Sequence, residues 1–203
     1  MPLSRFVFAG IGFLLAACSG NAPPLPAEPL ATAEPSASPV NLKTTLSILG
    51  LNDLHGRLRA LPAFSGYVEN VRRARAADNG GVALVDAGDM FQGTLESNLS
   101  EGASVLDAYR VLGMSVATLG NHEFDFGPEG NGSGDPQGAI RARIREAAFP
   151  ILSANLVQRG THDTPNWDKL QRSVLLPIAG VRVGFVGLLT RETPSIVNAA
   201  WFA

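Results

Sequence analysis

Apolar residues fall along this chain in short runs, and the spacing inside the runs switches between strand-like and helix-like. Thr44 to Leu51 is an apolar stretch of strand length, rich in Leu, Ile and Thr. From Leu61 to Asp78 the positions Phe64, Tyr67, Val68, Val71 and Ala74 recur at helical spacing, and Asn79-Gly80-Gly81 stops the helix. Arg72, Arg73 and Arg75 lie off that stripe and read as a solvated face. Val82 to Val85 is a short buried strand, and Gly102 to Leu112 a second helix closed by Gly113. Ser115 to Leu119 predicts a third strand, Gly138 to Ala148 a third helix, and Pro150 to Ala154 a fourth strand. Val174 to Ile178 and Val181 to Leu188 flank Ala179-Gly180, a hairpin signal. Strands alternating with helices predict an α/β fold with a largely parallel sheet. In such sheets ligands bind beyond the carboxyl ends of the strands.

Polar residues with metal and acid–base chemistry sit at three of those strand ends. Asp53-Leu54-His55-Gly56 follows the first strand. Asp53 and His55 alternate with Leu54, so a chain still extended there aims both the same way. A carboxylate beside an imidazole is a mixed O/N donor set suited to Zn, Mn, Fe or Co. Asp86-Ala87-Gly88-Asp89 ends the second strand, and Asp89 has two oxygens with which to bridge two cations. Asp86 reads as a structural carboxylate behind it. Gly120-Asn121-His122-Glu123-Phe124-Asp125 ends the third. Asn121 offers a neutral carbonyl oxygen. His122 and Asp125, three apart, share a face if a helix starts there, and make a pair for proton or hydrogen-bond donation. Glu123 reads as part of a capping network at that helix start. Singly, each motif is more often a turn or a cap; three of them on one rim are not explained that way.

The globular part is preceded by a different kind of sequence. Arg5, the apolar run Phe6 to Ala17 and the lipobox-like Leu15-Ala16-Ala17-Cys18 read as a lipoprotein-type signal peptide over 1–17. Cys18, the chain's single cysteine, then becomes a lipidated first mature residue. Residues 18–41 are a Pro/Ala-rich tether, and 42–203 the globular domain. Export to the cell envelope follows, with anchorage to the outer membrane on the periplasmic side. The net charge is −2 and the basic residues are scattered, which argues against a nucleic-acid partner. Gly127 to Gly138 lacks the Lys-Ser/Thr ending of a phosphate loop and reads as a surface excursion.

Together the three motifs resemble those of the calcineurin-like metallophosphoesterase superfamily, in its 5′-nucleotidase and UDP-sugar hydrolase branch. Ile48 to Gly56, Gly120 to Asp125, Phe149 to Leu156 and Val181 to Leu188 are similar to that branch, and the likeness spans roughly residues 44 to 198. The resemblance implies a four-layer α/β/β/α sandwich, of which this chain is the N-terminal part. It implies two divalent metal ions of the Zn, Mn, Mg or Co class: Asp53 and His55 at the first, Asp89 bridging, and Asn121 at the second. His122 with Asp125 would be the catalytic dyad, and a metal-activated hydroxide would attack phosphorus in a nucleotide or UDP-sugar. The family completes its site with two further histidines and a glutamine on later strands, and adds a C-terminal nucleotide-binding domain. His162, between Gly160 and Pro165, reads as a loop residue instead. The chain is therefore expected to be a truncated domain, with Trp201 and Phe202 lacking a packing partner. Alternatives left open are an inactive remnant and a related dinuclear hydrolase, acting on 2′,3′-cyclic nucleotides or on a sulfur–sulfur bond.

Overall fold

The computed structural model describes residues 43–202; the segments expected as a signal peptide and a tether, with Cys18, lie outside the described residues. β1 (Leu46–Leu51) leads through α1 (Leu61–Ala77) to β2 (Gly81–Asp86). The short α2 (Leu95–Asn98) and then α3 (Ala103–Leu112) precede β3 (Val116–Thr118), and α4 (Gly138–Glu146) precedes β4 (Ile151–Leu152) and β5 (Leu170–Gln171). These five strands form one parallel sheet in the order β1-β2-β3-β4-β5. β6 (Ser173–Ile178) and β7 (Val181–Val186) form a separate antiparallel pair, followed by α5 (Thr193–Ile196) and α6 (Ala199–Phe202). Among the described residues no helix is long and apolar enough to cross a membrane.

Period-two alternation divides the strand residues between two cores. Leu84, Ala117 and Ile151 face the helices, joining Val68, Val105, Leu106, Tyr109, Ile140 and Ile144. Their neighbours Ala83, Val85, Val116 and Leu152 face the opposite way and pack with Phe185 and the partly buried Val174, Leu176, Ile178 and Val183 of the hairpin. The parallel sheet is thus covered on both faces, which is why β2 reads as a continuous apolar run. The hairpin turn has Ala179 and Gly180 both at positive φ, 47° and 78°, the backbone of a type I′ turn.

Several features depart from the pattern read along the chain. Arg72 is not simply a solvated residue: its guanidinium donates to the carbonyls of Leu112 (2.7 Å) and Gly113 (3.2 Å), capping the end of α3. Arg75 pairs with Asp78 at 2.9 Å, and Arg73 alone of the three stays exposed. β5 was not visible in the periodicity because two residues carry none. Trp201 and Phe202 do find partners: α6 brings the Phe202 ring to 4.8 Å from that of Phe124. Trp201 packs so closely on Gly127 that a Cβ there would lie 2.8 Å from the indole.

Candidate metal centre

The chain leaves β1 in a tight left-handed course, with Asp53, His55 and Gly56 at φ 53°, 49° and 65°. The extended geometry expected for Asp53-Leu54-His55 is therefore incorrect, yet the two side chains still meet: His55 Nε2 lies 3.7 Å from Asp53 Oδ1. The loop is held to its neighbour by backbone, with Asp53 N, His55 N and Gly56 N donating to the carbonyls of Gly88, Asp89 and Met90. His55 Nδ1 lies 2.7 Å from the Gln92 carbonyl, which can only accept. Nδ1 therefore carries the proton and Nε2 keeps its lone pair for a metal. Gly93 makes this approach feasible, since a Cβ there would lie 2.5 Å from the His55 carbonyl oxygen.

The loop after β2 is supported from below by Asp86, which is fully buried. Its carboxylate accepts from Tyr109 Oη (2.6 Å) and Gly88 N (2.8 Å). Burial pushes the Asp86 carboxyl up to about 6; those two hydrogen bonds oppose the shift, and the charges of Asp53 and Asp89 add to it. Tyr109 is held far above the usual phenol range by the same burial and by Asp86. Asp89, at φ 58°, turns Oδ1 to accept from His122 N at 3.0 Å.

After β3 a single 3-10 turn, His122–Phe124, begins at Asn121, whose side chain makes no capping bond. His122 Nδ1 sits 2.5 Å from Asp125 Oδ2, so the two do share a face. Partial burial disfavours a charged His122 ring, but Asp125, Asp89 and Glu123 outweigh it and raise the pKa above the ordinary imidazole value. Glu123 is fully buried and does more than cap its own turn. Oε1 accepts from Met90 N (2.7 Å) and Phe91 N (3.2 Å), and Oε2 from Gly120 N (2.6 Å) and Asp89 N (3.0 Å). Burial and the charges of Asp89 and Asp86 push its carboxyl upward, and the four backbone N–H groups on its two oxygens oppose the shift and hold it as a carboxylate.

The three strand ends converge as the pattern required. One ligand atom each from His55, Asp89 and His122 lie within 4.8 Å of one another, and the two imidazole rings meet edge-on with centroids 4.8 Å apart. Asp53 joins through His55, and Asn121 directly precedes His122. His122, read from sequence as a proton donor, thus also stands among the groups that could hold a cation. His162 is exposed in the loop between β4 and β5. The donor set fits a divalent metal: a neutral imidazole at His55 with its tautomer fixed, carboxylate oxygens, and a second imidazole, His122, whose Nδ1 is engaged by Asp125 so that Nε2 is the nitrogen left for a ligand when the ring is neutral. Repulsion among Asp53, Asp89 and their buried neighbours Asp86 and Glu123 is the electrostatic counterpart of that fit, since a bound cation relieves it.

A parallel α/β sheet whose first three carboxyl-end loops gather such donors defines a metallophosphoesterase. The sequence model for calcineurin-like phosphoesterase matches residues 46–193, and the chain belongs to that family. Human 5′-nucleotidase is 34% identical over 168 residues, covering 75% of this chain and 28% of that protein. Protein UshA of Yersinia enterocolitica is 30% identical over 169 residues, covering 77% and 28% respectively. Among solved structures, the 5′-nucleotidase precursor of Thermus thermophilus superposes with a TM-score of 0.56 at 26% identity, over 75% of this chain and 30% of that one. The sulfate thiohydrolase SoxB of Thermus thermophilus gives 0.63 at 13% identity, over 78% and 38%, a likeness of fold alone. The chain spans less than a third of the length of these curated relatives.

Proposed function

We propose that this chain carries the metal-binding part of an exported phosphoesterase that hydrolyses nucleotides, of the 5′-nucleotidase or UDP-sugar hydrolase type. The observation that carries the reading is the convergence of His55, Asp89 and His122, in a chain 34% identical to a 5′-nucleotidase. Asp53 and His55 would hold one divalent cation, Asp89 would be shared, and Asn121 would serve a second. Divalent metals bound there would supply a water acidified enough to attack phosphorus and would neutralise phosphate charge. His55 presents Nε2 because Gln92 holds Nδ1. Asp125 orients His122 and favours its protonated form, so that the ring can donate to a phosphoryl or leaving-group oxygen. The approach of His122 to His55 and Asp89 also supports the alternative in which a neutral His122 ring is itself a metal ligand in place of the proton donor.

On the same reading residues 42–203 form the N-terminal part of the catalytic domain. Residues 1–17 and 18–41 are a signal peptide and a tether, and Cys18 anchors the protein to the envelope through lipid.

The test is metal binding and phosphate release by the full chain. Calorimetry with Mn(II) or Co(II) should show binding that His55→Ala abolishes. Phosphate release from a nucleoside monophosphate or a UDP-sugar should require the added metal and stop with EDTA. Binding without turnover would favour the inactive remnant, and no binding at all would reject the metal centre.

A further inference from the structure

The two gaps between the three site loops are closed by different means. Between the loops after β1 and β2, the backbone ladder simply continues past the strands, through Asp53 N to Gly88 O, His55 N to Asp89 O and Gly56 N to Met90 O. Between the loops after β2 and β3 it does not. β3 pairs with β2 only at Val85↔Val116 and Asp86↔Ala117. Among the described residues no backbone–backbone hydrogen bond joins 87–93 to 119–125. What crosses that gap is carboxylate: Asp89 to His122 N, and Glu123 to the N–H groups of Asp89, Met90 and Phe91 while it also holds Gly120 N.

Those N–H groups point into a space without water-accessible surface around Glu123. Left unmatched, each would carry a desolvation penalty comparable to a lost hydrogen bond. Only an ionised carboxylate offers enough lone pairs for four donors and brings no donor of its own. Both Glu123 oxygens are thereby committed to backbone and face away from ligand duty. The consequence falls on the groups that do face the site, because Asp89 and His122 are each one residue or fewer from a backbone group that Glu123 holds or from Glu123 itself.

We infer that Glu123 is the positioning residue of the metal centre: its carboxylate, rather than the sheet, sets the spacing between Asp89 and the Asn121–His122 pair. This rests on the metal-centre reading above. Glu123 touches neither substrate nor metal and acts only through the loops it joins. The first gap carries a backbone ladder; the second depends on two carboxylates, and of these only Glu123 is free of ligand duty.

The experiment uses the full chain with Co(II) as the probe, read by its visible absorption and by calorimetry, beside the metal-free melting temperature. Glu123→Gln preserves shape but turns an amide NH2 onto two backbone N–H groups. Co(II) affinity should fall about 10- to 100-fold, the range found for residues that orient metal ligands, and the absorption band should change. Glu123→Asp keeps the charge but withdraws it by one methylene, so it cannot span both loops, and it serves where the Gln form does not fold. It should also weaken Co(II) binding. A lower metal-free melting temperature with unchanged Co(II) affinity and spectrum in either folded variant would mean a purely structural role and overturn the proposal. Failure of the unsubstituted chain to bind Co(II) would instead overturn the metal-centre reading on which it rests.

Discussion

Gly88 and Gly120 meet backbone to backbone: a Cβ on Gly88 would lie 2.6 Å from Gly120 N, and one on Gly120 would lie 2.2 Å from Asp89 Oδ1. Two site loops approach at a distance that leaves no room for a side chain, and Gly88 in addition has φ 104°, where other residues are strained. Gly88→Ala should therefore destabilise the fold by about 2 kcal/mol or more, from the combined backbone and overpacking effects. Urea denaturation measures this, and metal binding should be lost in parallel because Asp89 is displaced.

Replacing Asp125 by Asn removes the anion 2.5 Å from His122 Nδ1. With the charge gone and only a neutral amide oxygen left to accept from the ring, the His122 pKa should fall back toward its ordinary value. A raised histidine favours the fold fully below its unfolded pKa, and the contribution is lost as pH rises through the folded one. Asp125→Asn should therefore move the His122 titration to lower pH, read by NMR of the ring protons in the metal-free chain. Any phosphate release should drop by about 100-fold or more, the usual scale for loss of a positioned acid.

Asp86 predicts a pH dependence of the same sign, from an acid in place of a base. Its folded pKa of about 6 exceeds the ordinary 3.8, so the folded chain holds this proton more tightly than the unfolded one. Stability from Asp86 is present below the lower value and is lost as pH rises through the upper one, about 3 kcal/mol across the window. Asp86→Asn should flatten the urea midpoint between pH 4 and 6, while the amide still accepts from Gly88 N.

Arg72 supplies a contrast far from the chemistry. Arg72→Ala removes the donors on Leu112 O and Gly113 O at the end of α3. The fold should lose about 1 kcal/mol, as for loss of a charged cap at a helix C-terminus. Co(II) affinity should stay unchanged, since the Arg72 hydrogen bonds go to Glu69, Leu112 and Gly113, none of them in the site.

The elements differ in how plainly the chain announces them. The long helix α1 was clear because many positions repeat its period, and β1 and β2 because their apolar runs end abruptly. α2, β5, α5 and α6 span two to four residues each, too few to carry a period. At the site, residue type and place at a strand end singled out Asp53, His55, Asp89, Asn121, His122 and Asp125 as candidates, of which the fold gathers His55, Asp89 and His122 within ligand reach of one another. The left-handed turns that let Asp53 and His55 meet were not marked, because an Asp-x-His segment is compatible with several backbones.

Read along the chain alone, the residues name the candidate donors and show that each follows an apolar run. Parallel strands place their carboxyl ends on one side, so a motif read three times at strand ends implies one shared rim. How those donors are held was settled only by packing in three dimensions. Glu123 reaches Met90 across 33 positions, His55 the Gln92 carbonyl across 37, Tyr109 the Asp86 carboxylate across 23, and Arg72 the Leu112 carbonyl across 40. All but the Tyr109 contact end on a backbone N–H or carbonyl, groups that nearly every residue supplies in the same form, so no side-chain pattern announces them. They exist because packing of the sheet and helices leaves polar backbone groups buried at the loop ends, and each must find a partner within reach.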